Sequence, residues 1–465
     1  MENNFFSPHR YIPNTAPGVR EEFLRELGIE SVDEIYLEIP EDIRFLGDLN
    51  IPKEYQSELE VAHKITEMLS ANKTTKDLLS FLGGGIYPHY SPALCSEIAG
   101  RSEFLTAYAG GDATDHGRYQ AMFEYQSMMG DLLEMDVVSA PVYDGTTASG
   151  DALHIVSRAM GRREVLIPET LSPNTKATMK NYGDPWVDLK TVKYDPKTGM
   201  LDLEDLKGKI TGETAAVFIE NPGYLGFIES QCHEISRIAH ENGALLVAYV
   251  NPVSLGILAP PGEYGADIVC GEGQPLGMPL SCGGATLGIL AVNDADRFLT
   301  LMPSFLAGIS NTIVPGERAF SWHTLWDRMV YSTREKAKSF TGTSSWLWGI
   351  AAAVYMSLMG PQGMRELAEV NIQKAHYASE LLGEIEGLDS PLFSSTHFNE
   401  FLVNFDKTGK SVKEINKALF ENGILGGKDL VHDFPGLGQT ALYCVTEVHS
   451  QQDIEVLAET LERIL

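Results

Sequence analysis

The sequence predicts an α/β protein, in which a mainly parallel sheet forms a large domain and a small α+β domain follows at the C terminus. First, apolar stretches typical of strands alternate with helical stretches between residues 164 and 292, which favours parallel strands joined by crossover helices. Second, AVFIENP and LLVAYVNP are almost continuously apolar, as central strands covered on both faces are. Third, the chain from residue 365 onward alternates helix, strand, helix, strand and helix.

Composition places the chain among globular proteins. It has 465 residues, of which 43% are apolar and 21% are charged, and its formal net charge is −29. An acidic balance of this size argues against nucleic acid as the main partner. The five cysteines show no CxxC spacing, the first residues lack the pattern of a signal peptide, and no apolar run reaches about 18 residues. We therefore expect a cytoplasmic protein without a membrane-spanning helix.

Residues 1–70 are predicted to form an N-terminal arm that wraps around another surface, its own or a partner's. The stretch has few long apolar runs and contains two short helical segments, REEFLRELG and SVDEIYLEI. Ser31 and Glu34 have the spacing of a capping box, in which two side chains bond to free amides at the start of a helix. Residues 55–80 are typical of an amphipathic helix, interrupted near Asn72.

A loop rich in glycine and aromatic residues follows, with the sequence FLGGGIYPHYSPAL. Its glycines permit tight or left-handed backbone, and the side chains of Tyr87, His89 and Tyr90 are candidates to line a pocket or a partner's site. Tyr108, in the later loop TAYAGGD, is a fourth candidate. A packed surface loop without a binding role is the alternative interpretation.

The next stretch, GRYQAMFEYQSMMGDLLEM, is predicted to be a helix. Its apolar side chains, which include several methionines, recur at helical spacing and are expected to belong to the core. The segment YDGTTASG then places Gly145, Thr146 and Thr147 where another helix begins. Free amides and hydroxyls at a helix N terminus can bind phosphate, although the same residues also form an ordinary helix cap.

Residues 245–277 contain two strand ends that resemble the frame of a pyridoxal-phosphate site. In a large class of α/β enzymes, an Asp at the end of the first strand pairs with the pyridine nitrogen, and a Lys after the second binds the cofactor covalently. Here the first strand ends in Asn251 and the second is followed by Gln274. The frame of a cofactor site is therefore predicted, with both reactive groups missing.

Neither a metal site nor a serine-hydrolase site is predicted. His233 and His240 are each followed by a Glu, but the second His of an HExxH motif is replaced by Arg237 and by Ala244. The GxSxG motif of the hydrolases is absent from the sequence.

The remaining domain assignment follows from these patterns. Residues 71–335 are assigned to the large α/β domain with the degenerate cofactor site. The apolar helix SSWLWGIAAAVYMSLMG, at 17 residues, is short for a membrane span and is predicted to be a buried connecting helix. Residues 336–465 are assigned to this helix and the small α+β domain.

Several motifs spread over nearly the whole chain carry a family resemblance. They are RYIPNT, ELGIESVDEIYLEIPEDIR, FLGGGIYPHY, RSEFLTAY, YDGTTA, VNPVSLGILAPPGEYGADIVCGEGQPLG, AAAVYMSLMGPQGM, GILGGKDL and CVTE. In these motifs the chain resembles the P-proteins of the glycine cleavage system, and among them the alpha, or first, subunits of the two-subunit glycine dehydrogenases (decarboxylating). Any one motif alone is weak evidence, whereas the set is specific.

The resemblance implies a pyridoxal-phosphate fold-type-I architecture, like that of aspartate aminotransferase. It implies a heterotetramer, α2β2, in which a lysine-bearing beta subunit binds the pyridoxal phosphate and the alpha subunit is a degenerate, non-catalytic copy. The implied reaction releases carbon dioxide from glycine and passes the aminomethyl group to the lipoyl arm of the H-protein. No cofactor-binding or catalytic residue is then expected in this chain.

Three segments depart from the pattern of that family. The chain has MPSFLAG where the family usually has an MPGR-type segment, and REKAKSFTGTSSWLWG where a stretch rich in Thr, Ser and Asn is usual. After TAY it has AGGDATDHGRYQ where the family usually has a loop rich in Pro and Gln. Loss of an Arg from a loop near an active site is not conservative. A paralogous subunit whose complex acts on another amino acid or amine is therefore an alternative.

The sequence also leaves open two functions outside a two-subunit decarboxylase. A self-sufficient pyridoxal-phosphate enzyme would need a different lysine, for which Lys176, Lys336 and Lys338 are available, although none follows the expected strand. A structural or regulatory pseudoenzyme without an enzyme partner is the last interpretation.

Overall fold

A computed structural model divides the chain into two compact units, Met1–Asn72 and Lys73–Leu465. It describes residues 11–16, 18–45, 47, 49–52, 57–105, 116–281, 285–304, 306–323, 339, 341 and 345–465.

The described part of the first unit contains short helical elements, namely α1 (Val19–Leu27), two 3₁₀ turns (Val32–Tyr36 and Glu41–Ile43) and α2 (Glu58–Leu69). The predicted capping box is confirmed, because the Ser31 amide donates to Glu34 Oε1 at 2.9 Å. It begins a 3₁₀ turn and not a longer helix. None of the residues in these four elements is buried. The wrapping role of residues 1–70 would cover them, and it stays a prediction.

The helix predicted over residues 55–80 ends at Leu69, close to the predicted interruption near Asn72, and its predicted continuation to residue 80 is wrong. Leu79–Ser80 form the strand β1, which pairs in parallel with Ile424–Leu425 near the other end of the chain. The pattern of nearby residues could not predict this strand, because its hydrogen-bonding partner is remote in sequence.

The second unit continues with helices and then with strands that alternate with helices. In chain order its elements are α3 (Ala93–Ala99), α4 (Ser102–Leu105), α5 (His116–Leu133), β2 (Val137–Val138), α6 (Gly145–Met160), β3 (Glu164–Pro168), α7 (Pro173–Gly183), β4 (Asp188–Val192), α8 (Leu203–Lys209), β5 (Thr214–Asn221), α9 (Cys232–Glu241), β6 (Leu245–Val250), β7 (Ile268–Glu272), β8 (Gly288–Val292) and α10 (Asp296–Leu299).

The strands β2 to β8 form a seven-stranded sheet in the order β2-β8-β7-β6-β5-β3-β4. The five strands from β7 to β4 are parallel, and β8 runs antiparallel to both β7 and β2. The prediction of a mainly parallel sheet is therefore confirmed. Every residue of β3, β5, β7 and β8 is buried, as expected for strands covered on both faces.

The core lies on both faces of this sheet. Alternate residues of β5 enter two different apolar clusters, with Val217 in one and Phe218 in the other. The predicted methionine stripe of α5 belongs to the first cluster, where Met122 and Met129 are fully buried. Its prediction as a core-facing helix is confirmed.

The chain then forms an antiparallel hairpin and the C-terminal elements. These are β9 (Leu306–Asn311), β10 (Arg318–His323), α11 (Trp346–Gly383), β11 (Glu400–Asn404), α12 (Val412–Glu421), β12 (Ile424–Leu425), β13 (Lys428–Asp429), β14 (Thr440–Cys444) and α13 (Gln451–Ile464). Strands β11, β14 and β13 form a small antiparallel sheet in that order, so the predicted α+β region is confirmed.

The helix α11 is broken at Gly360, whose φ of 58° and ψ of −179° are not helical, just before Pro361. Its first part contributes buried residues such as Ala352 to the core of the large sheet, and its second part contributes Ala378 to the core of the C-terminal region. Among the described residues, no helix is both long and apolar enough to cross a membrane. The domain boundaries near residues 70 and 335 stay predictions.

Candidate functional site

A cavity of about 260 Å³ lies at the carboxyl ends of β5, β6 and β7. Ligands in open α/β sheets bind at this edge, because the loops that follow parallel strands converge there. The residues that line it are Gly84, Gly85, Ile86, Tyr87, Asp144, Thr146, Ser172, Asn174, Thr175, Glu220, Pro222, Gly223, Tyr224, Gly226, Tyr249, Val250, Asn251, Glu272, Thr286, Asn399 and Glu400. Three of the predicted site residues, Tyr87, Thr146 and Asn251, are among them.

Asn251 follows β6 directly, as the sequence predicts. Its Oδ1 accepts a hydrogen bond of 3.1 Å from the Val253 amide and so caps the 3₁₀ turn Pro252–Gly256. The residue is only 8% exposed, and its Nδ2 has no hydrogen-bond partner among the described residues. The amide therefore presents an unused donor in the wall of the cavity.

The side chain of Gln274 connects two segments of the chain by hydrogen bonds. Its Oε1 accepts from the Tyr87 amide at 3.1 Å, and its Nε2 donates to the carbonyls of Tyr87 at 3.1 Å and Met278 at 3.0 Å. Both ends of the side-chain amide are therefore in use. Gln274 fixes the FLGGGIYPHY loop to the segment that follows β7.

The N terminus of α6 is bound to carboxylates of the chain itself. Asp144 caps the helix, because its Oδ1 accepts from the Thr147 amide and the Thr146 hydroxyl, both at 2.7 Å. The Gly145 amide donates to Glu272 Oε2 at 2.9 Å. Two of the predicted phosphate-loop amides therefore already have anionic acceptors inside the protein.

Glu272 also accepts two further backbone hydrogen bonds. Its Oε1 lies 2.9 Å from the Gln274 nitrogen and 2.8 Å from the Leu287 nitrogen. Burial raises the pKa of Glu272 to about 7, against the three amides, which favour the ionised form. A carboxylate with three amide donors is in the position that an external anion would need.

The residues present do not fit pyridoxal phosphate at this position. A phosphate at the start of α6 would need amides that Asp144 and Glu272 occupy, and it would be repelled by both carboxylates. The side chain at the pyridine position is the neutral Asn251. No lysine is found among the described residues that line the cavity.

Two more buried carboxyl groups line the same cavity. Burial raises the pKa of Glu220, at the end of β5, to about 8, and repulsion by Glu400 raises it as well. Burial raises the pKa of Glu400, the first residue of β11, to about 7, although the Gly84 amide and the Tyr87 hydroxyl oppose the shift. Sequence reasoning missed Glu220, Glu272 and Glu400. The signal that could have found them was an acid at the start or the end of an otherwise apolar strand, as in AVFIENP, DIVCGEG and HFNEFLVNF.

The structure separates the predicted aromatic candidates. Tyr87 lines the cavity, and its hydroxyl donates to Glu400 Oε2 at 3.0 Å. His89 and Tyr90 line a second cavity, of about 630 Å³, and both are held by Glu447. The contacts are 2.7 Å from His89 Nδ1 to Glu447 Oε2 and 2.7 Å from the Tyr90 nitrogen to Glu447 Oε1.

The remaining candidates fall elsewhere. Tyr108 lies outside the described residues, as do Lys336 and Lys338. Lys176 is exposed on α7 and does not line the cavity.

Comparison with known proteins gives consistent likenesses. The glycine cleavage system P-protein family matches residues 9–461. A protein of Staphylothermus marinus, named as a probable glycine dehydrogenase (decarboxylating) subunit 1, is 41% identical over 471 residues, which cover 98% of each chain. A protein of Bacillus pumilus with the same name is 36% identical and covers 97% of this chain and 98% of its own.

Solved structures agree with this likeness. The crystal structure of a glycine decarboxylase (P-protein) of the glycine cleavage system, in an inhibitor-bound form, matches with a TM-score of 0.82 and 31% identity over all of both chains. A sphingosine-1-phosphate lyase of Burkholderia pseudomallei matches with a TM-score of 0.66 and 16% identity over 90% of this chain and 92% of its own, a likeness of fold alone. The predicted pyridoxal-phosphate fold-type-I architecture is confirmed.

Proposed function

The chain belongs to the glycine cleavage system P-protein family, and from this membership we propose that it is the alpha subunit of a pyridoxal-phosphate-dependent glycine decarboxylase. The observation that carries the proposal is the 41% identity, over 98% of both chains, with a relative named as subunit 1 of a glycine dehydrogenase (decarboxylating). A first subunit implies a second. We propose that this partner is a lysine-bearing beta subunit and that the complex is α2β2.

In the proposed reaction, carbon dioxide leaves glycine and the aminomethyl group passes to the lipoyl arm of the H-protein. The cofactor, when bound in the complex, supplies an electron sink for the carbon that loses carbon dioxide. We propose that the partner holds it and that this chain is not catalytic.

Two features of the cavity, and the position of Lys176 outside it, support a non-catalytic chain. The Gly145 and Thr147 amides donate to carboxylates of the chain itself, so they are not free for a phosphate. Asn251 cannot carry the negative charge that stabilises a protonated pyridine nitrogen. The exposed position of Lys176 also makes a self-sufficient enzyme the weaker alternative.

The proposed share of this chain is to shape and close the active site of the complex. The FLGGGIYPHY loop is suited to this, because hydrogen bonds fix its last four residues. Gln274 and Glu400 hold Tyr87, and Glu447 holds His89 and Tyr90. A loop held in this way loses little conformational entropy when a partner or a lipoyl arm packs against it. The loop around Tyr108 and the arm of residues 1–70 are proposed to contribute further contacts to the partner.

The test is to co-express the chain with a lysine-bearing homologue encoded beside it and to measure glycine-dependent exchange of carbon dioxide with a lipoylated H-protein. We expect exchange with the pair and none with this chain alone. A Schiff-base absorbance band in this chain alone after addition of pyridoxal phosphate, lost when a lysine is mutated, would instead support the self-sufficient alternative.

A different substrate is kept as the second candidate because of the departures in sequence. Of the segment 302–345, the described residues include Met302 and Ser304, which are buried, and the hairpin strands β9 and β10. Turnover of another amino acid or amine by the pair, without exchange from glycine, would overturn glycine and keep the subunit assignment. Failure to associate with any lysine-bearing homologue would favour a structural or regulatory protein.

A further inference from the structure

The cavity has an unusual balance of charge. Its described lining contains four carboxyl groups, those of Asp144, Glu220, Glu272 and Glu400, and contains no Lys, Arg or His. Asp144 and Glu272 accept hydrogen bonds from amides at the start of α6 and beyond β7. Glu220 and Glu400 face the cavity from β5 and β11. What balances the negative charge of these two carboxyl groups has to be explained.

The described neighbours of these two groups do not neutralise them. Glu220 accepts from the Tyr224 amide at 3.2 Å and from the Ser172 amide. Glu400 accepts from the Gly84 amide at 2.6 Å and from the Tyr87 hydroxyl. These donors are uncharged. The charge of Lys428 lowers the pKa of Glu400, but its ammonium donates to the Tyr224 hydroxyl and lies 3.7 Å from a carboxylate oxygen of Asp433. Two buried carboxylates without a direct cationic partner are costly, and the cost falls when a cation enters or a proton binds.

Asn251 supplies an independent observation. Its Nδ2 is a donor with no partner among the described residues, and its residue is more than nine-tenths buried in the cavity wall. A buried amide donor that is left unsatisfied destabilises the protein. A ligand with a hydrogen-bond acceptor would satisfy it.

We propose that this cavity binds a small primary ammonium compound that carries one neutral hydrogen-bond acceptor, such as an amino alcohol. The ammonium group lies between Glu220 and Glu400, and the acceptor receives the Asn251 Nδ2 hydrogen. A primary ammonium has three donors, so it can bond to both carboxylates at once. The inference goes beyond the proposed function and does not depend on it.

Size and geometry favour this class of ligand over metals and anions. A cavity of about 260 Å³ is slightly below the range of about 300–1,000 Å³ for drug-sized ligands, which suits a small molecule. A divalent metal needs several ligands around one point, and the described residues contain no group of three or more His, Cys, Asp or Glu side chains that could hold one. An anion is opposed by all four carboxyl groups.

Calorimetric titration of the full chain with three probes of matched size would test the proposal. Ethanolamine has both an ammonium and an acceptor, n-propylamine lacks the acceptor, and 1-propanol lacks the charge. We expect ethanolamine to bind about tenfold more tightly than n-propylamine, the value of one hydrogen bond of about 1.4 kcal/mol, and 1-propanol not to bind. No heat from ethanolamine, or equal binding of 1-propanol, would overturn the proposal.

Matched variants assign the binding to named groups. Glu220→Gln removes one charge with little change in shape, and we expect ethanolamine affinity to fall at least tenfold. Asn251→Ala removes the Nδ2 donor together with the cap to the Val253 amide, so the preference for ethanolamine over n-propylamine should disappear. The exposed Glu263→Gln is the control and should bind like the parent. Unchanged affinity in Glu220→Gln, or an unchanged preference in a folded Asn251→Ala, would refute the assignment. Glycine carries a carboxylate as its acceptor. If glycine bound more tightly than ethanolamine, the proposal that the ligand's acceptor is neutral would be refuted.

Because the tests use this chain without its partner, they are independent of decarboxylation. Binding of ethanolamine without glycine exchange in the complex would leave the inference standing and remove the proposed function. Glycine-dependent exchange by the complex, without ethanolamine binding to the chain, would remove the inference and leave the proposed function standing.

Discussion

The two sides of the cavity differ in how their buried carboxyl groups are hydrogen-bonded. On one side, the closed side, Asp144 and Glu272 lie at the start of α6, and Glu272 alone accepts three backbone amides. On the other, the open side, Glu220, Asn251 and Glu400 surround space, and the amide of Asn251 has an unused donor among the described residues. Burial is similar on both sides, and the clearest difference lies in Glu272, which accepts three amides, whereas Glu220 accepts two and Glu400 accepts one.

This difference in hydrogen bonding indicates which side of the cavity can bind a ligand. The three amides favour the ionised form of Glu272 and oppose the burial that raises its pKa to about 7, so the closed side is bonded within the chain itself. On the open side, removal of charge is favourable, whether by a proton or by a cation. Buried acids alone therefore do not mark a binding site, and the hydrogen bonds they lack are the more informative feature.

Glu272→Ala should have the largest effect on stability, because it attacks the closed side. It leaves the buried amides of Gly145, Gln274 and Leu287 without their acceptor, at about 1–3 kcal/mol each. We expect a loss of more than about 3 kcal/mol in the free energy of unfolding, measured by urea denaturation. A loss below about 1 kcal/mol would mean that water replaces the carboxylate as acceptor and that the three amides do not depend on Glu272.

Gly145→Ala tests the close approach of α6 to β7. A Cβ there would lie 2.5 Å from the Tyr249 hydroxyl oxygen and 2.9 Å from the Glu272 nitrogen. Overpacking of this kind costs about 1–3 kcal/mol, and we expect about 2 kcal/mol in thermal or urea unfolding. Adding Tyr249→Phe should restore only part of the loss, since the backbone contact remains. Full recovery in the double variant would place the strain in the hydroxyl alone.

Glu220→Gln, on the open side, should increase the free energy of unfolding at high pH, whereas the two preceding variants should lower it. The pKa of Glu220 rises from an ordinary value of 4.5 to about 8, so between these values the folded chain binds more protons than the unfolded chain. Stability therefore falls as pH rises through this window, and a neutral Gln removes that loss. We expect a gain of about 1–2 kcal/mol at pH 8, after discounting the weaker hydrogen bonds of an amide, and almost none at pH 5.

The control for this pH dependence is the exposed Glu263→Gln, which should leave stability unchanged at both pH values. Destabilisation by Glu220→Gln at pH 8 would show that the ionised carboxylate is satisfied, and the two sides of the cavity would then be alike. A gain in stability together with weaker ethanolamine binding would be the usual exchange between stability and function.

The sequence predicted the parts of this comparison that depend on local pattern. Apolar runs located β5, β6 and β7, and the strand ends placed Asn251 beside the cavity. It could not predict that Glu272 bonds to the Gly145 and Leu287 amides, because such bonds depend on how distant segments meet. The pairing of β1 with β12 was missed for the same reason.

The loop candidates show the same limit. Composition selected Tyr87, His89 and Tyr90 as one group, since aromatic side chains in a glycine-rich loop are typical of pockets. Their partners separate them, because Tyr87 meets Glu400 while His89 and Tyr90 meet Glu447. Only the fold brings those two acids, from the C-terminal region, to the same loop.

Tyr87→Phe should have the smallest effect, and it sharpens the comparison because it removes one donor from the open side. The Tyr87 hydroxyl donates to Glu400 Oε2, and this bond lowers the pKa of Glu400 against the effect of burial, which raises it to about 7. An ionised Glu400 needs the bond more than a protonated one. We therefore expect a loss of about 1 kcal/mol at pH 8 and less at pH 6, measured by urea unfolding. Tyr90→Phe is the matched control in the same loop, because Tyr90 is 69% exposed and its loop contact to Glu447 uses the backbone amide. Equal losses at both pH values, or a similar loss in Tyr90→Phe, would mean that the Tyr87 ring matters only through packing and that Glu400 does not depend on its hydroxyl.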